Sequence, residues 1–453
     1  MKKLFGTDGM RGEAGKFPLD AETIEIVGAS LATRLKEKLG RAPLIVIGRD
    51  TRESGEWLEQ ALIAGALRAG AETKTAGVIT TPGVAFLART LPADAGVVIS
   101  ASHNAYQDNG VKIFAASGRK IDDATERLIE SDVFSQGETS NAGNRSFIAD
   151  RANPSESNDL RAHYLDFLNG IARGLSLDGV RLVLDCANGA ASTLAPELFR
   201  RLAANITTIN NTPDGRNINL GCGSLHTEAL QCEVIKQQAD LGVAFDGDAD
   251  RALFVDAKGR LINGDSSLWV FARYLKARRQ LNNDTVVATV MSNIGLEIAF
   301  NSQEIHLVRT EVGDKYVLDE LLHLGASLGG EQSGHIIFPS LSLAGDGLIT
   351  TLSMLRAMKE AGKDLHELTE GFQTFPQILV NVAVKVKQPF AEIPSIESAA
   401  RKIEALLGPR GRLLLRYSGT ESLARVMIEG EGQDEIEKHA QELASVIQKE
   451  LGA

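Results

Sequence analysis

Leu241-Gly242-Val243-Ala244-Phe245 runs without a break into Asp246-Gly247-Asp248-Ala249-Asp250-Arg251. The first five residues form an apolar run of strand length with acids directly behind it. The pattern predicts a buried strand with carboxylates at its C-terminal end, where open α/β sheets bind ligands. Three carboxylates this close raise one another's pKa unless a cation shares them. A divalent ion is the simplest partner. Oxygen-only ligation by Asp246, Asp248 and Asp250 selects Mg2+, Mn2+ or Ca2+ over a thiolate-seeking metal. An EF-hand loop also opens with alternating acids, but it needs Gly at its sixth position and Glu at its twelfth. Arg251 and Ala257 stand there, which excludes that loop. The plainer alternative is a solvated acidic turn, a common use of acid runs. Small residues between the acids suit a tight turn against a ligand, and Arg251 suits a phosphate.

The chain has 453 residues, enough for about three or four domains. Apolar residues make up 43% and charged residues 24%, an ordinary balance for a globular protein. A net charge of -11 argues against nucleic acid as a partner, since such proteins carry a basic face. It leaves room for anionic substrates gripped by local arginines. Three cysteines without a CxxC pair, Cys186, Cys222 and Cys232, fit free thiols in a reducing compartment rather than a disulfide scaffold or a zinc site. The start of the chain lacks the apolar core of a signal peptide, and no run is long enough to span a bilayer. A cytoplasmic enzyme with no membrane partner is expected.

The α/β alternation repeats. Leu44 to Ile47 reads as a strand ending at Gly48-Arg49-Asp50, Glu56 to Ala69 as a helix, and Ala95 to Ile99 as a strand ending at Ser100-Ala101-Ser102-His103-Asn104. A Ser-, Asn- and Gly-rich stretch from Gln136 to Asn158 reads as a linker. Arg181 to Leu184 and Leu241 to Phe245 are strands of a second block, with a hairpin from Ala252 to Ile262 turning at Lys258-Gly259. A third block has strands at Val286 to Met291 and His306 to Arg309. The last block differs: a strand (Ile378 to Val386), a helix (Ile396 to Leu407), two strands (Leu413 to Leu415, Ala424 to Ile428) and a closing helix (Asp434 to Glu450) read as a small α+β domain. The expected boundaries are 1–150, 151–255, 256–370 and 371–453.

Other clusters carry chemistry. Ser102 follows a buried strand, sits beside His103, and has Lys112 ten residues on. Such a serine can be a nucleophile or phosphoryl carrier; a turn or N-cap serine is the commoner use. No G-x-S-x-G elbow is present, so an α/β-hydrolase is a poor fit. Arg416-Tyr417-Ser418-Gly419-Thr420-Glu421 with Arg425 combines hydroxyls, a glycine turn and two guanidiniums, suited to a phosphate dianion or, more plainly, to a hairpin with a salt bridge. Arg11 lies among glycines in Phe5 to Gly12, where close approach to a ligand is easy. Glu331-Gln332-Ser333-Gly334-His335 gathers a carboxylate, an amide, a hydroxyl and an imidazole, a set suited to reading sugar hydroxyls.

F-G-T-D-G-M-R-G (5–12), S-A-S-H-N (100–104) with D-N-G-V-K (108–112), D-G-D-A-D-R (246–251), G-E-Q-S-G-H (330–335) and R-Y-S-G-T-E (416–421) occur in this order. Together they resemble the α-D-phosphohexomutase family over the whole chain. The resemblance implies three similar mixed α/β domains and a smaller C-terminal α+β domain in a heart shape around a central cleft, each supplying one loop. By it Ser102 is the phosphorylated serine, and its phosphate joins Asp246, Asp248 and Asp250 around one Mg2+. Lys112, Arg11, His335 and His103 match catalytic positions. Glu331, Ser333 and Arg251 match substrate contacts, and Arg416, Ser418, Gly419, Thr420 and Arg425 match the phosphate loop. Members acting on mannose and glucose phosphates typically carry Met where Gln332 stands, so Gln332 points to an amino-sugar phosphate. The implied reaction isomerises glucosamine 6-phosphate to glucosamine 1-phosphate through a glucosamine 1,6-bisphosphate, which also serves as activator, on the way to UDP-N-acetylglucosamine and cell-wall precursors. A mannose or glucose phosphate mutase of the same family is the alternative, and a homodimer is compatible with the resemblance. Ala105 and Ser422 replace prolines usual in the family, which should loosen two turns. Two other readings remain. An aspartyl-phosphate enzyme would make Asp246 the nucleophile, and a sugar-phosphate sensor would bind without turnover.

Overall fold

A computed structural model describes residues 4–137, 154–418 and 421–452. The chain forms two compact units: 1–290 with 308–370, and 291–307 with 371–453.

The first unit is built on mixed sheets. One runs Phe5–Gly6, Gly9–Glu13, Asp108–Ala115, Ala95–Ile99, Leu44–Arg49, Glu72–Val78. Its last three strands are parallel and the others antiparallel. The next runs Leu261–Ile262, Ala252–Asp256, Leu241–Phe245, Arg181–Asp185, Asn205–Ile209, again three parallel strands with an antiparallel edge. Every residue of Leu241–Phe245 and of Ala95–Ile99 is buried, as a central strand covered by helices on both faces requires. Both strands occupy the bounds that their apolar runs predict, and the hairpin at 252–262 forms as expected. A third sheet orders His306–Thr310, Thr285–Thr289, Gly329–Gly330 and Ile336–Ile337.

The linker expected over 136–158 is bordered by a helix on each side. Helix Asp123–Gly137 takes its first residues and helix Pro154–Ile171 its last five, while 138–153 lie outside the described residues. Proline suits the first helical position because its missing N–H has no partner there. Ser157, read as a loop residue, is buried and donates to the Thr75 carbonyl at 2.8 Å.

The second unit has an antiparallel sheet, Gln377–Ala383, Leu423–Glu429, Arg412–Tyr417, backed by helices Pro394–Leu407 and Gln433–Leu451. Val426, Ile428, Ile396, Ile403, Leu443 and Ile447 fill its core. Helix Ile294–Asn301 belongs to this unit. The buried Glu429 carboxylate accepts the Ile294 amide (3.2 Å) and the Arg412 Nε (2.8 Å). Among the described residues no helix is long and apolar enough to cross a membrane.

A buried carboxylate knots the first unit. Asp346 caps helix Gly347–Ala361 by accepting the Leu348 and Ile349 amides at 2.9 and 3.1 Å, and it accepts the Tyr164 hydroxyl at 2.6 Å. Burial outweighs these bonds and lifts its pKa to about 6. A raised carboxyl pKa means that the native state holds a proton that the unfolded chain has lost, so the group's contribution is full below pH 4 and is lost as pH rises through 6. The gap corresponds to at most about 3 kcal/mol. Urea unfolding at pH 4.5 and pH 7.5 should therefore show Asp346→Asn, which keeps the cap, gaining stability over the wild type at the higher pH. An identical pH response in both proteins would contradict this.

Candidate active site

The acidic turn begins where Leu241–Phe245 ends. Asp246, Asp248 and Asp250 are all buried, and each can place one oxygen within 4.8 Å of the others'. Ala249 takes a left-handed φ of 55°, which closes the turn, with the Ala249 amide donating to the Asp246 carbonyl at 3.1 Å. The start of helix Thr81–Thr90 abuts this turn. The Thr81 amide donates to the Asp248 carbonyl at 3.0 Å, and its hydroxyl donates to Asp248 Oδ2 at 2.5 Å. A helix N-terminus stabilises negative charge in this way.

Ser102 enters from the end of Ala95–Ile99. Its Oγ donates to Asp246 Oδ2 at 2.5 Å and lies 3.3 Å from His103 Nδ1. Its φ of 52° is unusual for a non-glycine residue and costs energy, so the surroundings must hold it. They do so from both sides. Ser100 Oγ accepts the Ser102 amide at 2.9 Å and donates to Asp50 at 2.6 Å. Asn219 and Arg52 both donate to the Ser102 carbonyl, at 2.9 and 3.0 Å. Arg52 is fully buried, pairs with Asp50 at 2.9 Å, and also holds the carbonyls of Asn104 and Ala105. This support compensates for the missing proline at Ala105. Gly247 lets the two loops meet, because a Cβ there would lie 2.5 Å from the Ser102 carbonyl oxygen.

Lys112 carries the cation of the cluster. Its ammonium reaches Asp248 at 2.9 Å, Asp8 at 3.1 Å and Asp250 at 3.3 Å. Burial opposes its charge, but these carboxylates hold its pKa well above the ordinary value. Burial also opposes ionisation of Asp8, yet Lys112, Lys120 and Arg11 hold its carboxyl well below the usual range. Asp250 is likewise held low by Lys112 and His335 against its burial. Asp246 behaves oppositely: burial, then the Asp250 and Asp248 charges, push it well above the usual range. Asp248 Oδ1 and Asp250 Oδ1 are buried without a hydrogen-bond partner. Two orphaned oxygens and one carboxyl driven towards neutrality are what a missing cation leaves behind, so this donor set fits a hard divalent ion.

The loop at 331–335 lies against this cluster. His335 Nδ1 is 3.6 Å from Asp250 and Nε2 is 3.8 Å from Asp314. Burial lowers its pKa, but Asp250 outweighs that and raises it to about 9. The Gly345 amide pulls the other way by donating to Nε2 at 3.1 Å, since a ring nitrogen that accepts a hydrogen bond carries no proton. The ring therefore faces a carboxylate at Nδ1 and an amide donor at Nε2. Gly345 must be glycine here, because a Cβ would lie 2.4 Å from Nε2. His103 is pulled down to about 4, first by burial and then by Arg251 and Arg11. Ser333 Oγ and Arg251 Nε are buried and unpartnered, and burial raises the Glu331 carboxyl.

The structure thus gathers Ser102, His103, Lys112, the three aspartates, Arg251 and His335 in one unit, with Arg11 tied to the cluster through Asp8. Arg416, Ser418 and Arg425 belong to the other unit, and Gly419 and Thr420 lie outside the described residues. Arg416 stands opposite Arg425 on adjacent strands. Burial and Arg425 both lower its pKa. Like charges placed directly opposite are destabilising, and an anion between them would offset that. Arg425 also pairs with Glu421 at 3.1 Å, so the plainer hairpin-and-salt-bridge description holds at the same time. The Lys387 ammonium holds the Ser418 carbonyl at 2.6 Å. Asp8, Asp50, Arg52, Thr81, Asn219 and Asp314 were not singled out from the sequence. Asp8 lies within the quoted stretch 5–12 and Asp50 stands just past a strand end, so these two carried a local signal.

Four family profiles match the chain in order, described as phosphoglucomutase/phosphomannomutase α/β/α domains I (residues 2–140), II (162–259) and III (263–375) and the C-terminal domain (379–446). A phosphoglucosamine mutase of Solibacter usitatus is 49% identical, covering 100% of this chain and 99% of the relative. A phosphoglucomutase/phosphomannomutase family protein of Burkholderia thailandensis has a similar fold, with TM-score 0.79, 23% identity, and coverage of 99% and 98%. An Aspergillus fumigatus N-acetylphosphoglucosamine mutase, solved with GlcNAc-6P and magnesium, superposes with TM-score 0.67 at 18% identity over 99% and 96% of the two chains.

Removing one carboxylate without changing shape should expose the metal role. Asp248→Asn is expected to weaken Mn2+ binding by about tenfold or more in calorimetric titration, since affinity follows ligand charge. Equal affinity in both proteins would exclude the triad as the metal site.

Proposed function

This chain belongs to the phosphoglucomutase/phosphomannomutase family, and from that premise we propose that it interconverts glucosamine 6-phosphate and glucosamine 1-phosphate through a phosphorylated Ser102. The observation that carries the reading is Ser102 Oγ placed 2.5 Å from Asp246, inside a buried carboxylate cluster with a cation deficit. The substrate assignment is supported by the phosphoglucosamine mutase relative at 49% identity over the full chain, and by Gln332 in the sugar-reading loop.

Phosphoryl transfer needs alignment and charge neutralisation more than covalent help from the protein. Asp246, Asp248, Asp250 and a phosphoryl oxygen on Ser102 would hold one Mg2+, which supplies neutralisation of the phosphoryl charge. Lys112 adds a fixed positive charge beside the same carboxylates. Its ammonium has three carboxylate partners and no lone pair, so it does not accept the substrate proton. His335, an imidazole that can gain and lose a proton, is assigned that role. In the forward step the bond from phosphorus to Ser102 Oγ breaks as a bond to the sugar O1 forms, and the O1 proton passes by way of His335 to the departing Ser102 oxygen, with the opposite proton movement from Ser102 to O6 in the return step. The bisphosphate then turns over, and its O6 phosphoryl returns to Ser102. Glu331 and Ser333 read the sugar hydroxyls, and Arg251 and Arg11 meet phosphate oxygens. Arg416, Ser418, Gly419, Thr420 and Arg425 grip the phosphate that is not reacting.

Intact and peptide mass spectrometry should place an acid-stable phosphate on Ser102. Ser102→Ala should lower mutase turnover by about a thousandfold or more, as loss of a nucleophile does. Full activity in Ser102→Ala, or an acid-labile phosphate on Asp246, would overturn the reading. Binding of glucosamine 6-phosphate without turnover would favour a sensor. A charge-assisted contact is worth about 1.5–3 kcal/mol, so Arg416→Ala should raise KM by about tenfold or more while Ser102 still becomes phosphorylated. Lost phosphorylation at unchanged KM would contradict that assignment.

A further inference from the structure

Lys120 lies outside every motif singled out in the sequence. It follows the turn after the strand Asp108–Ala115 that carries Lys112, bridging back to Phe114. Its ammonium donates to Asp8 at 2.6 Å and to Asp314 at 2.7 Å. Asp8 in turn meets Lys112 at 3.1 Å. Asp314 opens helix Asp314–Leu324 and stands 3.8 Å from His335 Nε2. Lys112 and His335 both face Asp250, at 3.3 and 3.6 Å. The six groups therefore close a ring of contacts: Asp250, Lys112, Asp8, Lys120, Asp314, His335.

We propose that Lys120 is a positioning residue, the outer strut of this ring, which sets the relative placement of Lys112 and His335. The inference rests on the roles given to those two residues above. Lys120 has no contact with Ser102 or the aspartate triad; its partners are Asp8, Asp314 and, at 3.5 Å, the Thr7 carbonyl. Two neighbouring pairs link the same segments, Arg119 with Asp319 and Lys315 with Asp123. The first has side chains 45% and 50% exposed, and the second joins a lysine to a carboxylate 57% exposed. Exposed pairs contribute about 0–1 kcal/mol and hold geometry weakly. Lys120 and Asp314 are only 15% and 17% exposed, where water and salt screen less. Their pair carries the link. Without the ammonium, Asp8 turns wholly to Lys112 and Arg11, and Asp314 turns to His335. Lys112 and His335 then shift while the sugar and phosphate contacts stay in place. The expected signature is a loss in kcat with KM retained.

Lys120→Met keeps the length of the side chain and removes its charge, and Lys120→Arg keeps the charge. In a coupled assay on glucosamine 6-phosphate, Lys120→Met should lower kcat by about fivefold or more with KM unchanged. Lys120→Arg should recover most of that loss, and the unfolding temperature should follow the wild type. A smaller fall in kcat, a loss expressed mainly in KM, or an arginine variant as impaired as the methionine variant would each overturn the proposal. If Lys120→Met does not fold, Asp314→Asn removes the charge at the other end of the strut without changing its size, and the same thresholds apply. Transfer from glucose 1,6-bisphosphate to unphosphorylated Ser102, followed by intact mass, gives the comparison without a glucosamine substrate. An error in the proposed substrate is thereby told apart from an error about Lys120.

Discussion

Three carboxylates are buried together at the end of one strand, and the site is organised around the cost of keeping them there. Asp246, Asp248 and Asp250 have lost hydration and repel one another. The protein supplies one ammonium to them, from Lys112, and it reaches Asp248 and Asp250. Asp246 takes the Ser102 hydroxyl instead. Asp248 Oδ1 and Asp250 Oδ1 are left buried without a hydrogen-bond partner.

That arrangement needs two strand ends brought together. Ala95–Ile99 delivers Ser102 from one sheet and Leu241–Phe245 delivers the aspartates from another. The loops are joined through backbone groups: the Thr81 amide on the Asp248 carbonyl, and Asn219 and Arg52 on the Ser102 carbonyl. Backbone contacts of this kind hold a strained serine whatever its side chain carries. The second unit solves a different problem with similar means. Arg416 and Arg425 face each other across a hairpin, and Glu421 takes up part of the Arg425 charge.

Much of this was legible in the residue order. Leu241–Phe245 and Ala95–Ile99 form strands over the bounds their apolar runs predict, and the acids and Ser102 stand directly behind them. The polar stretch at 136–158 falls largely between the residues matched by domains I and II, and Ser157 near its end is buried against the Thr75 carbonyl. Arg52 and Asn219 left little trace, since a residue that supports a loop from below needs no motif of its own.

The sequence by itself determined the elements and the type of chemistry, because hydrophobic period and clustered acids are local properties. It could not show which charges pair. Asp8 and Lys120 are 112 residues apart, and Lys120 and Asp314 are 194 apart. An ion pair between such residues has no signature in either neighbourhood. Only tertiary packing brings them within 3 Å and removes the water that would screen them. The same holds for protonation. His335 looks alike on paper whether charged or neutral, and the balance is decided by Asp250 on one side of its ring and the Gly345 amide on the other.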